Sequence, residues 1–231
     1  MVGKTGWSLT LLAAVALLAG CSKGHAPEVK EDWLARLPPE QMQPVEQARS
    51  ELRQAQNDKS RAEVGLQDAE NRLDVAKAER DAAKSRVDAA ENQVRFARNT
   101  GDAQRVQEAQ SQLSQAEAGM AAAEAQVEWA EANRDAAKAR VDYAEAEVRT
   151  QEALLSQAEY QALAKANDTR VKDMDPQSFE AEVAARQAEA AEARQELERK
   201  EQQVATAYQK WDEARSKAGD SRPAPGEFPR G

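Results

Sequence analysis

Alanine recurs at every seventh position along the first half of this chain: Ala48, Ala55, Ala62, Ala69, Ala76, Ala83, Ala90 and Ala97. Three residues before each stand Val45, Leu52, Lys59, Leu66, Leu73, Arg80, Val87 and Val94. The alternating 3/4 step is a heptad seam, with a larger residue at position a and alanine at position d. A second run has the same form. Val106, Leu113, Met120, Val127, Arg134, Val141, Val148 and Leu155 occupy a. Ala109, Ala116, Ala123, Ala130, Ala137, Ala144 and Ala158 occupy d, with Gln151 the exception. This period is a helical one and incompatible with the two-residue period of strands, so the chain is committed to long helices that pair along their length.

Between the runs lies Asn99-Thr100-Gly101-Asp102. Glycine is favoured just past a helix end and aspartate just before a helix start. Ala97 and Val106 are nine residues apart, which breaks the heptad phase. The interruption is either a kink in one continuous helix or a tight hairpin, and the turn chemistry favours the hairpin. The two arms are also copies of one another. Residues 62–95 match residues 116–149 without a gap, with 19 identities in 34 positions, which marks an internal duplication.

Folding the arms so that Ala97 faces Val106 gives partners whose residue numbers sum to 203. Each a residue then meets a d alanine: Leu73 with Ala130, Val87 with Ala116, Val94 with Ala109. The register also accounts for the charged a residues. Lys59 falls beside Glu145, Arg80 beside Glu124 and Arg134 beside Glu70. Alanine leaves room for the long stems, and the carboxylates pair the charges. Such pairs set register more than stability, because partly exposed ion pairs are weak.

A further stripe runs along position c, away from this seam. It carries Val75, Ala82, Ala89 and Phe96 on the first arm, and Ala122, Trp129, Ala136 and Tyr143 on the second. In an isolated pair these would face water. They are expected either to pack on a third helix or a second copy, or to form a docking groove for another protein. Val75, Phe96, Trp129 and Tyr143 are therefore the candidate partner-binding face.

The expected organisation is an export signal over residues 1–20, a tether over 21–39, and a first long helix over 40–98. A turn at 99–102 leads to a second helix over 103–166 and a linker over 167–175. A third helix spans 176–217, and a disordered tail spans 218–231. Asp175 and Pro176 are a helix start, N-cap followed by proline at the first helical position. Phe179, Val183, Arg186, Ala190, Ala193, Leu197, Lys200, Val204, Ala207, Trp211 and Ala214 then step at 4/3 spacing, so this helix is expected to fold back on the hairpin. The fold class is all-α. Aromatics at 4%, charged residues at 32% and a mean hydropathy of −0.83 fit long helices rather than an ordinary compact core.

Little in the chain can do covalent chemistry. There is no phosphate-binding glycine loop and no nucleophile elbow. The one histidine, His25, lies in the tether, so neither a histidine-based triad nor a histidine metal cluster can be built. The net charge is −9. Removing residues 1–20, whose one charged side chain is Lys4, makes it −10, which repels nucleic acid. The chain reads as non-catalytic, with no cofactor, no metal and no nucleic-acid partner.

The N-terminus has a basic start at Lys4 and an apolar stretch over residues 9–19, too short to span a bilayer comfortably. It ends in Leu18-Ala19-Gly20-Cys21, which resembles the lipobox of bacterial lipoproteins. The resemblance implies cleavage between Gly20 and Cys21, a diacylglycerol on the Cys21 sulfur and an N-acyl lipid on the new amino terminus. Several acyl chains anchor stably where one does not. Ser22 is similar to the residue found there in members sorted to the outer membrane, which implies an outer-membrane lipid anchor facing the periplasm. Lipobox plus alanine-rich heptads looks like murein lipoprotein. That family joins a C-terminal lysine to peptidoglycan, whereas this sequence ends Pro229-Arg230-Gly231. The helical hairpin also resembles those of periplasmic adaptor proteins, without the lipoyl-like and β-barrel segments that flank them. The expected function is a tethering coiled-coil spacer of the envelope. The alternative is an adaptor or accessory subunit of a trans-envelope transport or motility complex. Expected partners are the membrane, an envelope protein or peptidoglycan held non-covalently, and a homo-oligomeric copy.

Overall fold

A computed structural model of the chain describes Pro27 and residues 29–219. The export signal, Gly20, Cys21 and residues 220–231 lie outside the described residues. The described part is all helical: α1 (Glu31–Leu34), α2 (Pro39–Thr100), α3 (Ala103–Lys165), a 3-10 turn (Thr169–Val171) and α4 (Pro176–Lys217).

The helix boundaries follow local chemistry. Gly101 ends α2 in the left-handed conformation at φ 72°, its N–H returning to the Arg98 carbonyl, where a Cβ would be strained. The Asp102 side chain then accepts hydrogen bonds from the N–H groups of Gln104 and Arg105, capping α3. At the other end of α3, Asn167 takes the left-handed role at φ 56°. Asp168 N–H donates to the Leu163 carbonyl and Asn167 N–H to the Ala164 carbonyl, both at 3.0 Å, the paired closing bonds of a Schellman turn. Asp175 caps α4, accepting from Gln177 N–H, with Pro176 in the first turn.

α2 and α3 pair antiparallel. Leu73 and Ala76 cluster with Val127 and Ala130, and Val94 and Ala97 with Ala109. Leu73–Ala130, Ala76–Val127 and Val94–Ala109 each sum to 203, so the packed contacts follow that register. Lys59 Nζ lies 3.0 Å from Glu145, and the hydrogen bond and charge of Glu145 raise the Lys59 pKa. The other two charged a residues behave differently from the sequence expectation. Arg80 does not pair with Glu124, nor Arg134 with Glu70. Arg80 donates to Asp81 at 2.7 Å through Nη2, and Arg134 to Asp135 at 3.0 Å through Nε. The physical reason is proximity: each arginine is followed directly by an aspartate, and a bond within one helix orders less side chain than one across the seam. Because the Arg-Asp step is duplicated, both arms make the same substitution.

α3 is the middle of a three-helix layer. α2 packs on one side of it and α4 along the other, while α2 and α4 scarcely meet. The helix expected to fold back on the hairpin therefore rests on one arm alone. Its seat on α3 includes Ala136, Ala139, Ala146, Thr150 and Ala153, all buried. α4 starts beside the C-terminal end of α3, where Tyr160 stacks on Phe179 with centroids 4.6 Å apart. It runs back until Trp211 reaches the level of Trp129. α4 ends six residues later, at Lys217, so the last ~20 residues of each arm before the hairpin turn, about 30 Å, form a bare two-helix arm.

At the opposite end, large apolar side chains gather. Val29, Leu34, Val45, Ala162, Leu163, Val171 and Phe179 form one buried cluster, with Trp33, Leu37 and Met42 packed against it. Residues 29–37, the end of the segment read as a tether, thus belong to the base of the rod. Two polar ties hold them there. Arg49 meets Glu31 at 3.4 Å and Glu159 at 3.7 Å; burial raises the Glu159 pKa while Arg49 opposes the rise. Arg170 lies over the Trp33 ring at 5.2 Å and is fixed by Asp168.

Candidate functional site

The four residues of the candidate face do not share one environment. Trp129 is only partly exposed, because α4 covers it. Its ring stacks on Trp211 at 4.8 Å and 7° between planes, with Tyr208 edge-on at 6.0 Å. Val75 is 58% exposed and Phe96 69% exposed, both on α2. Tyr143 is half-buried on α3. Its burial, followed by the charge and hydrogen bond of Glu147, pushes the phenol pKa up.

Val75 and Trp129 are brought together in a groove. α3 forms its floor through Ala130, Ala136 and Ala137, α2 one wall through Val75 and Ala76, and α4 the other through Val204. The volume is about 810 Å³. A second segment of about 640 Å³ continues it along α2 and α3 and contains Tyr143. Gly65, Ala137 and Arg140 line both segments. The groove exists because α2 and α4 sit on opposite flanks of α3, and because alanine on the floor fills little volume. Phe96 lies apart from it, on the bare arm.

Hydrogen bonds and ion pairs tie the groove walls to α3. Gln126 Nε2 donates to Glu79 Oε2 across α2 and α3 at 2.6 Å. Arg140 Nη2 donates to Glu201 Oε1 across α3 and α4 at 2.6 Å. Lys200 lies 3.8 Å from Asp135, and Arg149 3.8 Å from Glu189. These groups are mixed in sign and mostly half-exposed, which suits holding helices together and excluding the wrong register. Among the described residues, no group of three His, Cys, Asp or Glu side chains is placed to hold a metal ion. No described helix is long and apolar enough to cross a membrane.

Sequence reasoning missed Tyr208 and the position-f half of the α3 seat for α4; the position-c half, with Trp129 and Ala136, was expected to pack on a third helix or a second copy, or to form a docking groove. A signal for the seat was present. Position f of the second arm reads Ala118, Ala125, Ala132, Ala139, Ala146 and Ala153, a second unbroken alanine row on one helix. With the c residues it makes a second seam at 4/3 spacing, and a helix with two seams must have two partners. No protein-family model, curated protein or solved structure matches this chain.

Proposed function

We propose that this protein is a non-catalytic, lipid-anchored lipoprotein of the bacterial envelope, whose helical rod acts as a spacer at the outer membrane, facing the periplasm. The observation that carries the reading is the polarity of the rod. The segment that follows Cys21 enters the base cluster from Val29 onward, and the hairpin turn at Gly101 lies at the far end of 62 residues of α2. At about 1.5 Å per residue that is roughly 90 Å. A lipid on Cys21 would therefore hold one end at a bilayer and present the other well away from it. Alanine seams support this use, since they allow a long thin rod with close axes and strong local helix propensity.

Lipidation is tested by feeding labelled palmitate to cells that express the full chain. Label is expected on the protein and absent from the Cys21→Ser variant; equal labelling of both would refute the anchor. The spacer role is tested by deleting residues 84–90 together with 113–119. These heptads face each other in the 203 register, so the shortened rod keeps its seam and loses about 10 Å. The distance between outer membrane and cell wall, measured in frozen sections, should fall with it. An unchanged distance would refute the spacer.

One observation favours the adaptor reading: Phe96 is exposed on the bare arm beyond α4. A photoreactive residue placed at 96 should then cross-link a single envelope protein, whereas a pure spacer yields none.

A further inference from the structure

The duplicated arms carry two seams each, and one of the four is empty. On α3 the second seam is Ala125, Trp129, Ala132, Ala136, Ala139, Tyr143, Ala146 and Thr150. α4 covers it, and Ala136, Ala139, Ala146 and Thr150 are buried. Shifting by the repeat offset of 54 residues gives its counterpart on α2: Asn71, Val75, Ala78, Ala82, Ser85, Ala89, Asn92 and Phe96. The spacing is again 4/3 throughout. No charged residue interrupts it over 26 residues, in a chain that is 32% charged. Every one of the eight is exposed, including Val75 at 58% and Phe96 at 69%.

We infer that this face of α2 pairs antiparallel with the same face of a second copy. Three observations choose this occupant. The stripe lacks the bulk of its α3 counterpart: Val75 and Ala89 stand where α3 has Trp129 and Tyr143. Its centre is alanine and serine, so two identical stripes approach closely. The flanks are then self-complementary in one register, where partner numbers sum to 167. Ala78 faces Ala89, Ala82 faces Ser85 and Val75 faces Asn92, each across the two-fold axis. On the flanks Glu79 meets Arg86 and Asp74 meets Arg95, each pair occurring twice. The side chains of Asp74, Arg86 and Arg95 make no ion pair or hydrogen bond among the described residues of one copy. The one like-charge contact, Asp81 with Asp88, is eased because Asp81 already accepts from Arg80. Finally, the face is continuous with an interface already in use, extending the layer α4–α3–α2 by its mirror order.

The contact is about 40 Å long and ~10 Å wide, or roughly 800 Å² over both partners, below the standard interface range. The association is weak and reversible in solution, and anchoring both copies to one membrane would raise their effective concentration.

The test uses the full chain carrying Cys21→Ser, held in detergent, with single cysteines added and a bis-maleimide reaching ~10 Å. In the antiparallel register the two copies of residue 82 lie within that reach, and the two copies of residue 75 are about 25 Å apart. Ala82→Cys is expected to give a cross-linked dimer and Val75→Cys at least fivefold less. Glu79→Arg should lower the Ala82→Cys cross-link about fivefold, and the double reversal Glu79→Arg with Arg86→Glu should restore it. Equal cross-linking at 75 and 82 would overturn the antiparallel register. A chain that stays monomeric by sedimentation at several hundred micromolar, without the 82 cross-link, would overturn the pairing. So would a face that cross-links in cells only to a different protein. Helicity by circular dichroism separates these results from misfolding, and the substituted positions on α2 are all solvent-exposed.

Discussion

Replacing Trp211 by alanine tests whether α4 is held as two separable halves. Trp211 is 4% exposed, stacked on Trp129 and edge-on to Tyr208 at 5.7 Å. Truncating a buried tryptophan costs about 3–5 kcal/mol, of which the ring geometry accounts for about 0.5–1.5 kcal/mol. Little nearby offsets the loss. Val204 and Leu197 are only partly buried, and the pairs Arg140–Glu201 and Lys210–Glu128 join half-exposed side chains. At the other end, Phe179 and Val183 remain buried at 1% and 8% exposure. The variant should therefore release residues 201–217 from α3 while the first half of α4 stays docked. Amide hydrogen exchange read by mass spectrometry should show protection in 201–217 falling a hundredfold or more, since each ~1.4 kcal/mol is a factor of ten. Protection in α2 should be unchanged. Equal loss across α2, α3 and α4 would refute the idea of a locally held half. A cycle combining Trp129→Ala with Trp211→Ala should give a coupling of about 0.5–1.5 kcal/mol; a coupling of zero would mean the stack is not the tie.

Phe179→Ala should destabilise the base by about 3–5 kcal/mol, read as a lower melting temperature together with faster exchange in residues 29–37, which share its cluster. Glycine to alanine should change sign with position. At Gly101, φ 72° makes the substitution cost about 1–2 kcal/mol, whereas at Gly65, inside a helix with nothing within 4 Å of the added Cβ, it should stabilise by about 0.5–1 kcal/mol; urea unfolding of both variants checks the pair. The Asp168 pKa is lowered to about 2 by hydrogen bonds from the Arg170 side chain and backbone. A carboxylate depressed in the folded state stabilises above its unfolded pKa of about 3.9 and loses that contribution as pH falls towards 2. Acid titration followed by Trp33 fluorescence should show the base loosening in that window, and Asp168→Asn should flatten it.

The hairpin was legible because one period governed it: alanine at every d fixes the face, and the broken phase at Asn99–Asp102 fixes the turn. The register needed the turn as well: shifts by whole heptads also set Leu73, Val87 and Val94 against alanines, and only the 203 register closes the hairpin tightly through Asn99–Asp102. The partners of Arg80 and Arg134 were not, because a neighbouring aspartate competes with a carboxylate across the seam and heptad position does not rank the two. Nor was the layer. Trp129 was visible as an unpaired aromatic, but its partners Tyr208 and Trp211 lie some eighty residues later on a helix whose seam mixes Arg186 and Lys200 with apolar residues. Val75 and Phe96 were grouped with Trp129 by heptad position, and the structure separates their environments: α4 covers Trp129, while Val75 and Phe96 stay exposed because only α3 received a third helix.

That separation has a chemical signature in the repeat itself. Where the α3 seam reads Ala118, Ala125, Ala132, Ala139 and Ala146 at position f, the α2 seam reads Val64, Asn71, Ala78, Ser85 and Asn92. At position f a covered seam favours alanine, because any hydroxyl or amide sealed inside it needs its own partner, as the buried Thr150 hydroxyl of the neighbouring row finds in the Ala146 carbonyl. A seam that spends time in water is under the opposite demand: long apolar side chains would make it an aggregation surface, and charges would be costly to cover. Serine and asparagine between alanines, with no Lys, Arg, Asp or Glu at any of the eight stripe positions from Asn71 to Phe96, meet both demands at once. They hydrate when the face is open and desolvate at modest cost when it closes. The rest of the exposed surface of α2 is rich in charged residues, and this stripe is not, so replacing Ser85 by lysine should leave the melting temperature of the monomer unchanged and abolish the cross-link at residue 82; a variant that still cross-links would show that the uncharged stripe is not what the second copy reads.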